Sequence, residues 1–243
     1  MEKLKIFTPI ALYGILIGLL NSFAFWGRFS INPLQFASAL DIAKVSAWPL
    51  ASGGLIFFIN ALVSSATDDD WLTHTDMDSI HLPIPSWLKW VWKLLWGLGA
   101  TFLLGWLLYI VSHPARWFGV GFCVLILASG SLERQKIIRK LIPSYCVRVP
   151  AIYLALLAPF IAVGAGALAG ETIQEGKGAF LLDATHSYLP ANFDASDSYA
   201  FVGILGNLYV FYSRNKSISM MRLGDGQGIT LKKNPLASSH PFF

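Results

Sequence analysis

Five long apolar runs dominate this chain: Ile6–Trp26, Ala47–Ala66, Trp87–Val111, Trp117–Leu132 and Val149–Gly170, none with an Asp, Glu, Lys or Arg in its middle. A helix needs about 20 apolar residues to cross the hydrocarbon core of a bilayer. Only 13% of the 243 residues are charged and 55% are hydrophobic, against about 25% charged in an ordinary soluble domain. This excludes a disordered or fibrous chain and counts against a soluble enzyme of ordinary composition. The expected fold class is mainly α: a five-helix transmembrane bundle over 1–170, then a small β-rich domain over 171–243. The fourth run is short and draws on its flanks or a thinned bilayer. Lys89 and Lys93 lie in the first turns of the third run, where long side chains snorkel to headgroups. Lys3 and Lys5 before an apolar stretch look like a signal peptide. That stretch exceeds the roughly 7–15 apolar residues of a cleaved signal, so an uncleaved first span is expected.

The region after 171 reads differently. Tyr199–Tyr212 is apolar but short, and rich in aromatic and β-branched residues. Ser213–Ser217 and Gly224–Gly228 are turn segments, each followed by a short apolar run. Short runs punctuated by turn chemistry indicate strands and hairpins; a sixth span over 199–212 is the alternative. Ala179–Leu182 offers a further strand. On a simple two-residue alternation, Phe201, Leu205, Tyr209 and Phe211 share one face, and Val202, Ile204, Leu208, Val210 and Tyr212 the other. Gly203, Gly206 and Asn207 mark where a bend or bulge costs little. Near the first span, Asn32-Pro33 is a helix-start signal. It opens either an interfacial helix over 33–45 or an N-terminal extension of the second span.

Orientation follows from the basic residues of the short flanks. With the N-terminus cytoplasmic, nine lie inside (Lys3, Lys5, Lys89, Lys93, Arg134, Lys136, Arg139, Lys140, Arg148) and three outside (Arg28, Lys44, Arg116). The C-terminal domain is then periplasmic; a sixth span would return its cations to the inside. The loop Arg134, Lys136, Arg139, Lys140 and Arg148 is the topology determinant, and the same charges suit anionic lipid headgroups. The net charge of +4 forms no independent basic patch, so nucleic acid is not an expected partner.

Catalytic signatures are sparse. HExxH, CxxC and GxSxG are absent, and Gly176-Lys177 lacks the first glycine and the hydroxyl residue of a phosphate-binding loop. Gly224-Asp225 has no second aspartate in an apolar helix with which to share a proton. One ionisable cluster stands out: Asp68-Asp69-Asp70, then His74, Asp76, Asp78 and His81. Carboxylates and imidazoles are metal ligands, and His74, Asp76, Asp78 and His81 are the candidates. The spacing matches no EF-hand, and the plainer reading is a solvated cytoplasmic loop that binds no metal tightly. No cofactor is expected. Cys123 and Cys146 make no disulfide framework.

Small residues mark helix contacts, because glycine lets backbones approach where lipid gives no hydrophobic drive. Gly14 and Gly18 serve the first span and Gly164, Gly166 and Gly170 the fifth, with Gly97, Gly99, Gly105, Gly119 and Gly121 between. Packing within the bundle is the first use and homo-oligomerisation the second. Asn21 and Asn60 are placed to hydrogen-bond across helices.

Two segments, 29–36 (FSINPLQF) and 199–211 (YAFVGILGNLYVF), are similar to segments in a scattered group of uncharacterised bacterial multi-pass inner-membrane proteins with a short β-rich C-terminal tail. The resemblance implies that architecture and a bacterial inner-membrane location, and carries over no catalytic residue. The functional expectation is a non-enzymatic binding or accessory protein: a sensor, an accessory subunit, or an immunity-type protein with a partner for its C-terminal domain. A channel or transporter subunit is the alternative, with Pro159 as its mid-span break. A membrane-embedded enzyme using loop 68–81 is the third.

Overall fold

The computed structural model describes residues 2–36, 86–142, 145–187, 189, 193, 197–222, 224 and 228–237. Helices α1 (Glu2–Gly27), α2 (Ser86–Tyr109), α3 (Arg116–Glu133), α4 (Lys136–Leu141) and α5 (Tyr145–Gln174) precede a five-stranded antiparallel sheet. Its strands are β1 (Phe180–Leu182), β2 (Tyr199–Leu205), β3 (Leu208–Ser213), β4 (Ile218–Arg222) and β5 (Leu231–Lys233), in the order β4-β3-β2-β1-β5. The chain is therefore helical with a small antiparallel sheet. The run 199–212, open to a sixth span on sequence grounds, is a β-hairpin.

Of the five expected spans, the structure supports one by length and composition among the described residues. Among the described residues one stretch, Val147–Gln174, is long and apolar enough to cross a membrane; Leu12–Gly27, Gly97–Tyr109 and Arg116–Ser129 are apolar but shorter. The second expected span, 47–66, and most of the expected interfacial helix 33–45 lie outside the described residues. Asn32-Pro33 opens only a single 3-10 turn there, Pro33–Gln35, with the Asn32 side chain accepting from the Leu34 amide.

Two compact units divide the chain: Met1–Ala47 with Ala162–Phe243, and Trp48–Ile161. In the first, α1 and the C-terminal part of α5 run in the same direction, because contacts advance together along both. Asn21 Nδ2 donates to the Ala162 carbonyl at 2.9 Å, and Gln174 Nε2 reaches the Arg28 carbonyl at 2.5 Å. Ala162, Gly166, Gly170 and Gln174 recur every fourth residue and so share one helix face.

Both helices end alike. At α1, Ser30 takes a left-handed φ of 56°, Ser30 N donates to Gly27 O at 3.1 Å, and Ile31 N donates to Trp26 O at 3.1 Å. At α5, Gly176 has φ 77°, Gly176 N donates to Ile173 O at 3.0 Å, and Lys177 N to Thr172 O at 2.9 Å. These are paired Schellman turns, which satisfy carbonyls that a helix end leaves bare.

The sheet buries both faces. Val202, Leu205 and Val210 pack with Trp26 at the end of α1 and with Phe29 and Ile31 just past it, and Leu182, Tyr199, Phe211 and Met221 close around Phe193 on the other side. Simple alternation put Leu205 with Phe201 and Phe211; instead it joins Val202. The register shift between Phe201 and Gly203 inserts one residue, and a one-residue slip exchanges faces for all that follows. Gly206, φ 62°, and Asn207 form the two-residue β2–β3 loop, which suits a glycine-first hairpin turn.

In the second unit, α2 and α3 form an antiparallel hairpin. Arg116, at the start of α3, donates to the carbonyls of Leu108 (3.3 Å) and Val111 (2.9 Å), capping the end of α2. Its guanidinium also lies 5.6 Å from the Trp117 ring centroid.

Candidate functional site

The α1–α5 seam is closely packed. A Cβ on Gly166 would collide with the Asn21 carbonyl oxygen, and one on Gly170 would lie 2.9 Å from Arg28 Cγ and 3.1 Å from the Phe25 carbonyl. Gly14, Gly18 and Gly164 are also buried. The other glycines divide. A Cβ on Gly119 would meet Leu107 at 2.9 Å and one on Gly121 would meet Phe160 at 2.8 Å, whereas Gly97, Gly99 and Gly105 have nothing within 4 Å among the described residues.

Where the two parallel helices stop, the sheet begins, and a cavity of about 310 Å³ lies between them. Phe25, Ala169, Ile173, Phe180, Phe201 and Val202 line it. Its polar groups are already engaged: the Thr172 hydroxyl donates to Leu168 O at 2.9 Å, and Lys177 Nζ meets a Glu175 oxygen at 2.7 Å. A more polar cavity of about 350 Å³ includes Gln174, Glu175, Ser198, Arg214 and Asn234. The chemistry on offer is apolar contact and hydrogen bonding.

Three polar knots fix this end of the molecule. Buried Asn234 donates through Nδ2 to Gly176 O (2.8 Å) and Gly178 O (2.7 Å) and accepts from Leu236 N (3.0 Å), tying the end of β5 to the α5–β1 turn. The Asp197 carboxylate accepts from the Ser213 hydroxyl, from Ser198 N at 2.8 Å and from Asn215 Nδ2 at 3.3 Å, clamping the β3–β4 turn. The third is Asp183-Ala184-Thr185-His186. Asp183 accepts from the Thr185 hydroxyl at 2.7 Å, and its other oxygen lies 2.9 Å from His186 Nδ1. The Thr185 hydroxyl, then the His186 side chain, hold the Asp183 carboxyl down at about 2. His186 Nδ1 faces both Asp183 and Thr185, so the ring is not strung between an acid and a nucleophile as a relay requires. Sequence reading did not single out Asn234 or Asp197. The Asn234-Pro235 dipeptide is a turn signal, but no local pattern names the distant carbonyls it binds.

Of the expected basic loop, Arg134, Lys136, Arg139 and Lys140 are exposed, while Arg148 is only 8% exposed and donates through Nη1 to Ile142 O at 3.2 Å. The metal candidates His74, Asp76, Asp78 and His81 lie outside the described residues. No group of three or more His, Cys, Asp or Glu able to hold a metal occurs among the described ones. Cys123 is a buried free thiol. Pro150 and Pro159 both sit inside α5, which remains helical through them.

Compared with protein-family models, curated proteins and solved structures, the chain matches none.

Proposed function

We propose that this protein is a multi-pass bacterial inner-membrane protein of binding or accessory type, with five crossings, a cytoplasmic N-terminus and a periplasmic C-terminal β-rich domain. The parallel course of α1 and α5 carries the reading. A chain that crosses five times brings its first and fifth crossings through in the same direction. Here these two helices also share a glycine-lined seam and end in matching turns before the sheet. The composition and the nine-to-three distribution of basic flanks support the same topology. The resemblance of 29–36 and 199–211 to uncharacterised inner-membrane proteins adds to it. Both of those segments meet at the helix–sheet junction, since Phe29 and Ile31 pack with Val202, Leu205 and Val210.

A binding role is favoured because the junction offers an apolar cavity and satisfied polar knots. Its partner would be a protein engaging the C-terminal domain or a second copy of the chain. The channel or transporter reading needs polar groups at a helix break, and continuous helix through Pro159 does not favour it. The test is a pair of reporter fusions after Phe243: activity of the periplasm-specific reporter is expected. Activity of the cytoplasmic reporter alone would overturn the topology.

A further inference from the structure

We propose that α4 is a lipid-binding foot that takes the phosphate headgroups of anionic phospholipids while two of its side chains enter the acyl layer. The proposal rests on the membrane reading above. Successive residues of a helix turn by about 100°, which sorts the six residues of α4 into two sectors. Lys136, Arg139 and Lys140 fall together, and Ile137, Ile138 and Leu141 fall together. The cationic residues are exposed, as is Arg134 just before the helix. Ile138 is half-buried, whereas Ile137 and Leu141 are 71% and 74% exposed.

Two large aliphatic side chains held out beside four cations match an interface: the hydrocarbon stems lie against acyl chains and the charges meet phosphate. From Arg134 to Leu141 there is no acidic residue; the nearest in the chain is Glu133. The face is also held in place. Ile142 N donates to Ile138 O at 2.8 Å, and buried Arg148 donates to Ile142 O at 3.2 Å, anchoring the end of α4. Arg148 is thus a positioning residue for the foot, not one of its headgroup contacts.

The test uses the full chain in vesicles of phosphatidylcholine with or without phosphatidylglycerol, followed by extraction and native mass spectrometry of the lipids retained. Enrichment of phosphatidylglycerol by about tenfold or more is expected, since several cations together attract an anionic surface. The pair Lys136→Gln with Lys140→Gln should bring retention close to parity, and Lys136→Arg with Lys140→Arg should preserve it. Ile137→Ser with Leu141→Ser should lower it by several-fold. Should the glutamine pair fail to fold, wild-type protein at rising salt gives the second measurement, because enrichment must fall with screening. Unchanged enrichment in the glutamine pair or at high salt overturns the proposal, as does displacement of the lipid by inorganic phosphate. Protein that enters phosphatidylcholine vesicles without any preference for phosphatidylglycerol sinks this proposal alone. Failure to enter either vesicle overturns the membrane reading and the foot together.

Discussion

Glycine has opposite meanings along α5 and along α2. Along α5, Gly166 and Gly170 lie where a neighbouring backbone enters, and a single methyl group at Gly166 collides with a carbonyl of α1. Along α2, Gly97, Gly99 and Gly105 meet nothing within 4 Å among the described residues. Gly99 instead helps line an apolar cavity of about 420 Å³ with Leu95, Leu103, Phe122 and Cys123. The same residue in equally apolar helices is a contact in one place and a gap in the other. The difference lies in what stands opposite: the backbone of α1 in the first case, no described residue within 4 Å in the second. Close backbone approach fixes α1 and α5 in one register, whereas α2 and α3 meet through side chains and a capping arginine that tolerate adjustment.

The hardest blow to this comparison is Gly166→Leu. Its side chain has no room against the Asn21 carbonyl, and overpacking of this kind costs about 3 kcal/mol. Thermal unfolding of the detergent-solubilised protein should show a strongly lowered Tm or no folded protein. A wild-type melt would mean that the seam is loose.

At the sheet end of the same unit, Gly206→Val forces a β-branched residue into φ 62° and brings Cβ to 2.5 Å from the Phe36 carbonyl oxygen. A cost of about 2 kcal/mol is expected. It should appear as protease sensitivity of residues after 171, with the helices preceding them remaining protected.

The α2–α3 hairpin should respond less. Arg116→Ala leaves the carbonyls of Leu108 and Val111 without their guanidinium. A half-exposed charge-assisted pair of this kind is worth about 1 kcal/mol, read as a modest fall in Tm that Arg116→Lys only partly restores.

Gly99→Ala sharpens the contrast from the other side. With no described residue within 4 Å of the site, removing glycine from a helix interior should be neutral or raise stability by about 0.5 kcal/mol. Marked destabilisation would reveal a neighbour and make α2 like α5.

The smallest effect concerns acid. Asp183 is held at about 2 by Thr185 and His186, below the ordinary value of about 3.9 for an unfolded chain. A depressed carboxylate stabilises the fold above the unfolded value, and that contribution is lost as pH falls through the folded one. Following the Asp183 carboxyl by NMR should give a midpoint near 2. Thr185→Ala should move it upward.

Much of this was legible because it is local. Tyr199–Tyr212 carried strand residues with glycines where the loop falls, Ser213–Ser217 carried turn chemistry, and the structure builds hairpins at both. The apolar limits at 6–26, 87–111, 117–132 and 149–170 lie within a few residues of α1, α2, α3 and α5. Only Val147–Gln174 among them keeps the length and apolar composition of a full crossing within the described residues.

Sequence alone thus placed α1, α2, α3, α5 and the β2–β3 region to within a few residues, because turn chemistry and apolar run length act over a few neighbouring residues. Tertiary structure decided which glycines are contacts, which face Leu205 joins, and that Arg148 turns inward while Lys136 and Lys140 stay out. Each of these depends on an atom outside the local pattern or on a displacement no local pattern records: the Asn21 carbonyl opposite Gly166, the bulge after Phe201, the Ile142 carbonyl that accepts from Arg148. A residue's propensity travels with the residue. Its neighbours across the fold do not.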